Sequence, residues 1–191
     1  MAPLPDVPFL AVFCGARTGA DDRHAATARA VGEAIARAGA GLVYGGGGVG
    51  LMGVLADAAL ANGAPVYGVI PEPLEKRELA HKDLTRLDVV GTMHERKARM
   101  AAAASGFLVL PGGYGTLDEF FEILTWKQLG LHSRPIVLLN ALGFFDPLAL
   151  TLMRIVEEGF APERPLYELE ADPAAAVALA LAGARPRPAG G

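Results

Sequence analysis

A chain of 191 residues that is 52% hydrophobic and 20% charged has the length for one domain with a full core, and its composition excludes intrinsic disorder. A net charge of −4 argues against a nucleic-acid-binding surface, and no apolar run is long enough to span a bilayer. A single cysteine, Cys14, excludes an internal disulfide or a cysteine-rich zinc site and fits a reducing compartment; with no basic segment leading into an apolar one at the N-terminus, a cytoplasmic location is expected.

Strands and helices are expected to alternate along the chain. Residues 9–14 (FLAVFC) read as a first buried strand broken by Gly15. An alanine-rich helix over 24–38 follows, with Val31 and Ile35 at i,i+4 and Gly39 closing it. A short strand at 42–44 leads into the glycine-rich segment 45–53, then a helix to Ala61 stopped by Asn62-Gly63. A third strand, 66–70, ends at Pro71 and Pro73. Residues 72–86 are charged and irregular, the longest loop-like stretch, as a binding loop would be. A short strand at 87–90 precedes a helix from Thr92 to about Ser105. A buried strand at 107–110, a helix over 117–131, a strand at 135–139 and a helix at 144–158 come next. Pro173 opens a final alanine-rich helix, and a frayed tail is expected over 184–191 after a single domain at 1–183. This order predicts an α/β, Rossmann-like fold: an open parallel sheet with helices on both faces and ligands beyond the carboxyl ends of the strands.

Three segments carry candidate chemistry. Pro111-Gly112-Gly113-Tyr114-Gly115-Thr116-Leu117-Asp118-Glu119 sits on a strand-to-helix turn, whose backbone N–H groups and helix dipole suit a phosphate. Thr116 and Glu119 equally have the spacing of a capping box. Gly48-Val49-Gly50-Leu51-Met52-Gly53 matches GxGxxG, but it follows the second strand, and the acidic residue downstream, Glu72, comes only after a proline break. A phosphate cradle and simple close packing of helix on strand both fit it. Thr92-Met93-His94-Glu95-Arg96-Lys97 opens a helix with a second capping box, and cations so near a helix N-terminus point either to an anionic ligand or to a solvated pair beside a Glu95–Arg99 bridge. Helix 117–131 has a second apolar side made of Ile123, Trp126 and Leu129, expected to meet either a partner subunit in a homodimer or the C-terminal helices. The four histidines lack metal-ligand spacing, and none of the four lysines stands out as a Schiff-base former.

Pro111-Gly112-Gly113-x-Gly115-Thr116-x-x-Glu119 together with Met93-His94-Glu95-Arg96-Lys97-Ala98 resembles the Lonely Guy family of cytokinin riboside 5′-monophosphate phosphoribohydrolases. Val12-Phe13-Cys14-Gly15, Tyr44-Gly45-Gly46-Gly47, Gly50-Leu51-Met52-Gly53 and Thr125-Trp126 extend the likeness to about residue 160. The resemblance implies a homodimer, no metal or redox cofactor, and a nucleotide substrate. By position, Arg96 and Glu119 match the family's catalytic pair. Lys97, Gly112, Gly113, Gly115 and Thr116 match its nucleotide contacts, and Glu78 a substrate contact in the long loop. Met93, Tyr114, Gly15, Gly45, Gly46 and Gly47 complete the expected substrate-binding set. In the first loop Ala16-Arg17 stands where the family usually has serine, so a hydroxyl contact is replaced by a charge.

The activity so implied is hydrolysis of the N-glycosidic bond of adenosine 5′-monophosphates, N6-modified ones included. Glu119 would stabilise charge on the ribosyl ring and activate water, with its ionised form favoured by a place in the first turn of its helix. Arg96 would act by hydrogen bonding and electrostatics. A non-catalytic nucleotide or molybdenum-cofactor carrier of the same fold is the alternative, because a carrier needs the glycine turns but not the Arg–Glu pair.

Overall fold

The structure, a computed structural model, describes residues 4–75 and 80–184. Glu78 lies outside the described residues, as does nearly all of the tail expected after residue 183. The strands are β1 (Phe9–Phe13), β2 (Gly41–Tyr44), β3 (Val66–Pro71), β4 (Arg86–Val90), β5 (Gly106–Val109), β6 (Ile136–Leu139) and β7 (Glu168–Glu170). The helices are α1 (Arg23–Arg37), α2 (Gly50–Ala61), α3 (Glu72–Glu75), α4 (Met93–Ala103), α5 (Tyr114–Gln128), α6 (Asp146–Glu157) and α7 (Pro173–Ala180). The seven strands form one sheet in the order β4-β3-β2-β1-β5-β6-β7, and every pairing is parallel.

The alternation of side chains along a strand divides the core into two layers. In β1, Leu10, Val12 and Cys14 face a layer built with Val31 and Ile35 of α1, Leu51 and Leu55 of α2, and Ala176 and Val177 of α7. Phe9, Ala11 and Phe13 face the other layer, with Met100 of α4, Phe120 and Ile123 of α5, and Leu152 of α6. Apolar runs without polar alternation are what a parallel sheet covered on both faces requires. Among the described residues no helix is long and apolar enough to cross a membrane.

Four local expectations change. The 72–86 stretch contains one helical turn, α3. A seventh strand, Glu168-Leu169-Glu170, pairs with β6 at the sheet edge, where charged side chains are tolerated. Helix α5 begins at Tyr114, with Gly113 as its N-cap and no side-chain cap, so Thr116 and Glu119 do not form a capping box. Glu119 therefore lies in the second turn, where the dipole is weaker. Finally, Ile123 is not on a second apolar side: it is 2% exposed within the chain's own core, whereas Leu129 is 67% exposed.

Candidate active site

A cavity of about 690 Å³ opens at the carboxyl ends of β1, β2 and β5. Strands β1 and β5 are neighbours although three strands separate them in sequence, so the cavity sits at the switch point of the sheet, where parallel α/β folds place their ligands.

Arg96 reaches this cavity from α4 and is only 5% exposed. Its Nε donates to the Val69 carbonyl at 3.1 Å and its Nη2 to the Gly45 carbonyl at 3.0 Å. A Cβ added to Gly45 would lie 1.9 Å from Nη2, so Gly45 is the socket of the guanidinium. Thr92 opens α4 as its N-cap, accepting from Glu95 N at 3.1 Å, and Glu95 Oε2 accepts from Gly91 N at 3.2 Å. The capping box expected here thus forms, with its return arm one residue upstream of the cap. The Glu95–Arg99 bridge is also present at 2.6 Å.

Glu119 enters from α5 on a buried stripe with Thr116, Phe120 and Ile123, and is 8% exposed. Cys14 lies within the field of both charged groups. Burial first, and then the Glu119 carboxylate, push its thiol far above the usual range, with Arg96 opposing weakly. Cys14 is therefore a neutral, apolar-like part of the cavity wall rather than a nucleophile.

The turn 111–116 joins the first loop directly. Gly15 N donates to the Pro111 carbonyl at 3.1 Å. A Cβ on Gly112 would stand 2.1 Å from Thr116 Oγ1, so the glycine lets that hydroxyl lie against the turn. Gly113 and Gly115 face open space. The opening N–H groups of α5 have no partner within the helix, and Gly113, Gly115 and Thr116 at that end line the cavity.

The glycine-rich segment after β2 plays a different part. Leu51 N and Met52 N both donate to the Gly15 carbonyl, at 3.0 and 3.4 Å, and Gly53 N to the Val49 carbonyl at 3.2 Å. Two of the N-terminal donors of α2 are thus used in holding the first loop. Gly50, at φ +63°, has its α-carbon so close to Ala16 that a Cβ would fall 2.3 Å from the Ala16 carbonyl carbon. The Gly46 carbonyl accepts from His81 N, Gly47 bridges to Ala80, and neither glycine lines the cavity. Close packing, rather than a phosphate cradle, accounts for this segment.

Of the residues singled out from sequence, Gly15, Gly45, Met93, Arg96, Gly112, Gly113, Gly115, Thr116 and Glu119 line one cavity. Lys97 does not: it turns outward to Asp118 at 3.0 Å and Glu122 at 3.1 Å, tying α4 to α5. Tyr114 also points away and is 93% exposed. Arg17, noted from sequence as a charge in place of the family's serine but left out of the expected site, also lines the cavity, and so do His24 and Phe144, which sequence reasoning did not select. Phe144 comes from the turn before α6 and meets His24 edge-on at 6.0 Å, a contact with no local signature. Among the described residues no group of His, Cys, Asp and Glu side chains is placed as metal ligands would be.

Residues 52–179 match a family model described as "Possible lysine decarboxylase". A cytokinin riboside 5′-monophosphate phosphoribohydrolase of Rhodococcoides fascians is 50% identical over 157 residues, 82% of this chain and 79% of that one. A protein of the same name from Oryza sativa subsp. japonica is 44% identical over 154 residues, 81% of this chain and 64% of that one. Among solved structures, the Moco carrier protein of Chlamydomonas reinhardtii superposes with a TM-score of 0.67 at 24% identity, covering 93% of this chain and 94% of that one, a likeness of fold.

Proposed function

The chain belongs to the Lonely Guy family of cytokinin riboside 5′-monophosphate phosphoribohydrolases, and from that membership we propose that it hydrolyses the N-glycosidic bond of adenosine 5′-monophosphates, N6-modified ones included. The products are the free base, a cytokinin where the base carries a prenyl group, and ribose 5-phosphate. The observation that carries this reading is the burial of Arg96 and Glu119 in the wall of one cavity that also holds the amino-terminal end of α5.

The geometry supports the following roles. The phosphate is held by the 111–116 turn, through the opening amides of α5 and the Thr116 hydroxyl. That anchor places the ribose over Glu119, whose carboxylate offsets the positive charge developing at C1′ as the bond to the base nitrogen breaks and draws water toward the same carbon. Arg96 carries a guanidinium, a group that does not serve as an acid under working conditions. It is fixed by the Val69 and Gly45 carbonyls, so its charge is positioned before substrate arrives, and it acts by hydrogen bonding rather than as a proton donor.

A decarboxylase working through a lysine Schiff base needs that lysine in the cavity, and among the described residues none lines it. The carrier reading has less support, since a carrier needs no buried carboxylate facing the ligand. We further propose a homodimer, supported by the exposed Phe121, Leu129 and Leu131, and a cytoplasmic location, supported by the single, buried thiol.

The test is base release from N6-isopentenyl-AMP by wild type, Glu119→Gln and Arg96→Ala. Since Glu119 does not cap its helix, the glutamine variant leaves the start of α5 unchanged. A loss on the order of 100-fold or more is expected in each folded variant. Near-wild-type rates in both would remove the assignment.

A further inference from the structure

The first loop puts a cation at the cavity that no carboxylate of the described residues claims. Arg17 lines the cavity and, among the described residues, makes no ion pair or hydrogen bond. The acid on the same loop, Asp21, is engaged elsewhere, accepting from Arg23 Nε at 2.9 Å and Nη2 at 2.6 Å. Lys97 is held by Asp118 and Glu122 outside the cavity, and two of the three nitrogens of Arg96 are committed to carbonyls. The root of the loop presses on the 111–116 turn: a Cβ on Gly15 would meet Gly112 Cα at 3.3 Å.

A second observation points to a ligand in the same place. Thr116 is 4% exposed, lines the cavity, and its hydroxyl has no hydrogen-bond partner among the described residues. A buried hydroxyl left unpaired is costly unless something entering the cavity pairs it. Leu51 N and Met52 N, at the start of α2, the other helix opening here, are already engaged by the Gly15 carbonyl.

We infer that Arg17 completes the seat of the substrate's 5′-phosphate, closing over it from the first loop while Thr116 and the opening amides of α5 hold it from below. A dianionic phosphate offers acceptors in several directions, and a planar guanidinium can bind two of its oxygens at once. Arg17 thereby discriminates a nucleoside 5′-monophosphate from the nucleoside lacking the phosphate. The identity of the anion rests on the phosphoribohydrolase reading; the seat itself does not.

Two measurements on wild type, Arg17→Ala and Arg17→Lys test this. The first is KM and kcat for base release from AMP and N6-isopentenyl-AMP. The second is the affinity for ribose 5-phosphate and for inorganic phosphate, by calorimetry. Arg17→Ala should raise KM and weaken ribose 5-phosphate binding by a common factor of about tenfold, with a much smaller effect on kcat. Arg17→Lys should recover part of the loss. Arg17 is exposed, so the thermal midpoint should not move and misfolding will not mimic the effect. Unchanged KM and unchanged affinity for both anions in Arg17→Ala would overturn the inference, as would a fall in kcat with anion affinity intact. If wild type binds ribose 5-phosphate through Arg17 yet releases no base from any adenosine monophosphate, the seat stands and the hydrolase reading falls.

Discussion

Two glycines show how a missing side chain can serve either the chemistry or the fold. A Cβ on Gly45 would stand 1.9 Å from Arg96 Nη2, the far end of a long side chain that can swing aside. A Cβ on Gly32 would stand 2.6 Å from the Leu55 carbonyl, where α1 crosses α2 and backbone must move. The two alanine variants should therefore fail differently. Gly45→Ala is expected to keep its thermal midpoint within about 3 °C of wild type, because the clash is relieved by Arg96 leaving its socket. Its base-release rate should fall on the order of 100-fold, as a displaced positioning group causes. Gly32→Ala should lose about 2 kcal/mol of stability through overpacking, while the folded fraction keeps its rate. Calorimetry and a single-turnover assay on both proteins separate the two. A Gly45→Ala enzyme with full activity would show that the socket does not set the guanidinium.

Helix α4 carries Arg96 and is held in place by one buried carboxylate. Asp88, on β4, has a side chain 3% exposed and accepts from Arg86 Nε and Nη2 at 2.8 Å, from Tyr67 OH at 2.8 Å and from Arg99 Nη1 at 3.0 Å. Arg99 lies one turn beyond Arg96, so the cluster ties the helix to β3 and β4. Hydrogen bonds from Arg86 hold the Asp88 carboxyl below the usual range, with Tyr67 and Arg99 adding to them and burial opposing. A depressed carboxyl means that the native state binds fewer protons than the unfolded chain. Its contribution is complete above the ordinary carboxyl value of about 4 and is lost as pH falls through the lower native value. Asp88→Asn should therefore be less stable at pH 7 by about 2 kcal/mol, below the figure for a fully buried pair because Arg99 is partly solvated. The deficit should persist down to about pH 4 and shrink only below it, which denaturant midpoints at pH 7, 5 and 3 would register. A deficit that grows as pH falls would contradict this sign. Little of the cluster is readable from sequence: Asp88 sits in an ordinary short strand, and its partners come from three elements. The Glu95–Arg99 pair was legible because i,i+4 spacing is local.

At the scale of the whole molecule, the parallel sheet was legible because strands and helices alternate, and the cavity because glycine breaks punctuate the ends of β1, β2 and β5. Strand β7 was not, since Glu168-Leu169-Glu170 has no apolar run and exists only by pairing with β6. Nor could spacing reveal that Lys97 turns outward while Arg96 turns in, a choice made by Asp118 and Glu122 on α5. The same distinction between local pattern and tertiary placement governs the surface. Ile123 is absorbed by the chain's own core, but Phe121 at 39%, Leu129 at 67% and Leu131 at 69% exposure leave an apolar strip along α5 and the turn beyond it. Leu150 at 63%, Met153 at 53% and Phe160 at 79% add more on and after α6. A soluble monomer rarely leaves so many large apolar side chains in water without a partner for them. The expected native mass by analytical ultracentrifugation is thus twice the 19.8 kDa of one chain. Replacing Leu129 and Leu131 together by aspartate should shift the protein toward one chain, since a desolvated charge at an interface core is unfavourable by several kcal/mol, on the order of 2–5. Neither leucine contributes to the buried core, so the variant should still fold. A wild-type mass of one chain at tens of micromolar protein would rule the dimer out. A dimer that survives both aspartates would move the interface away from α5.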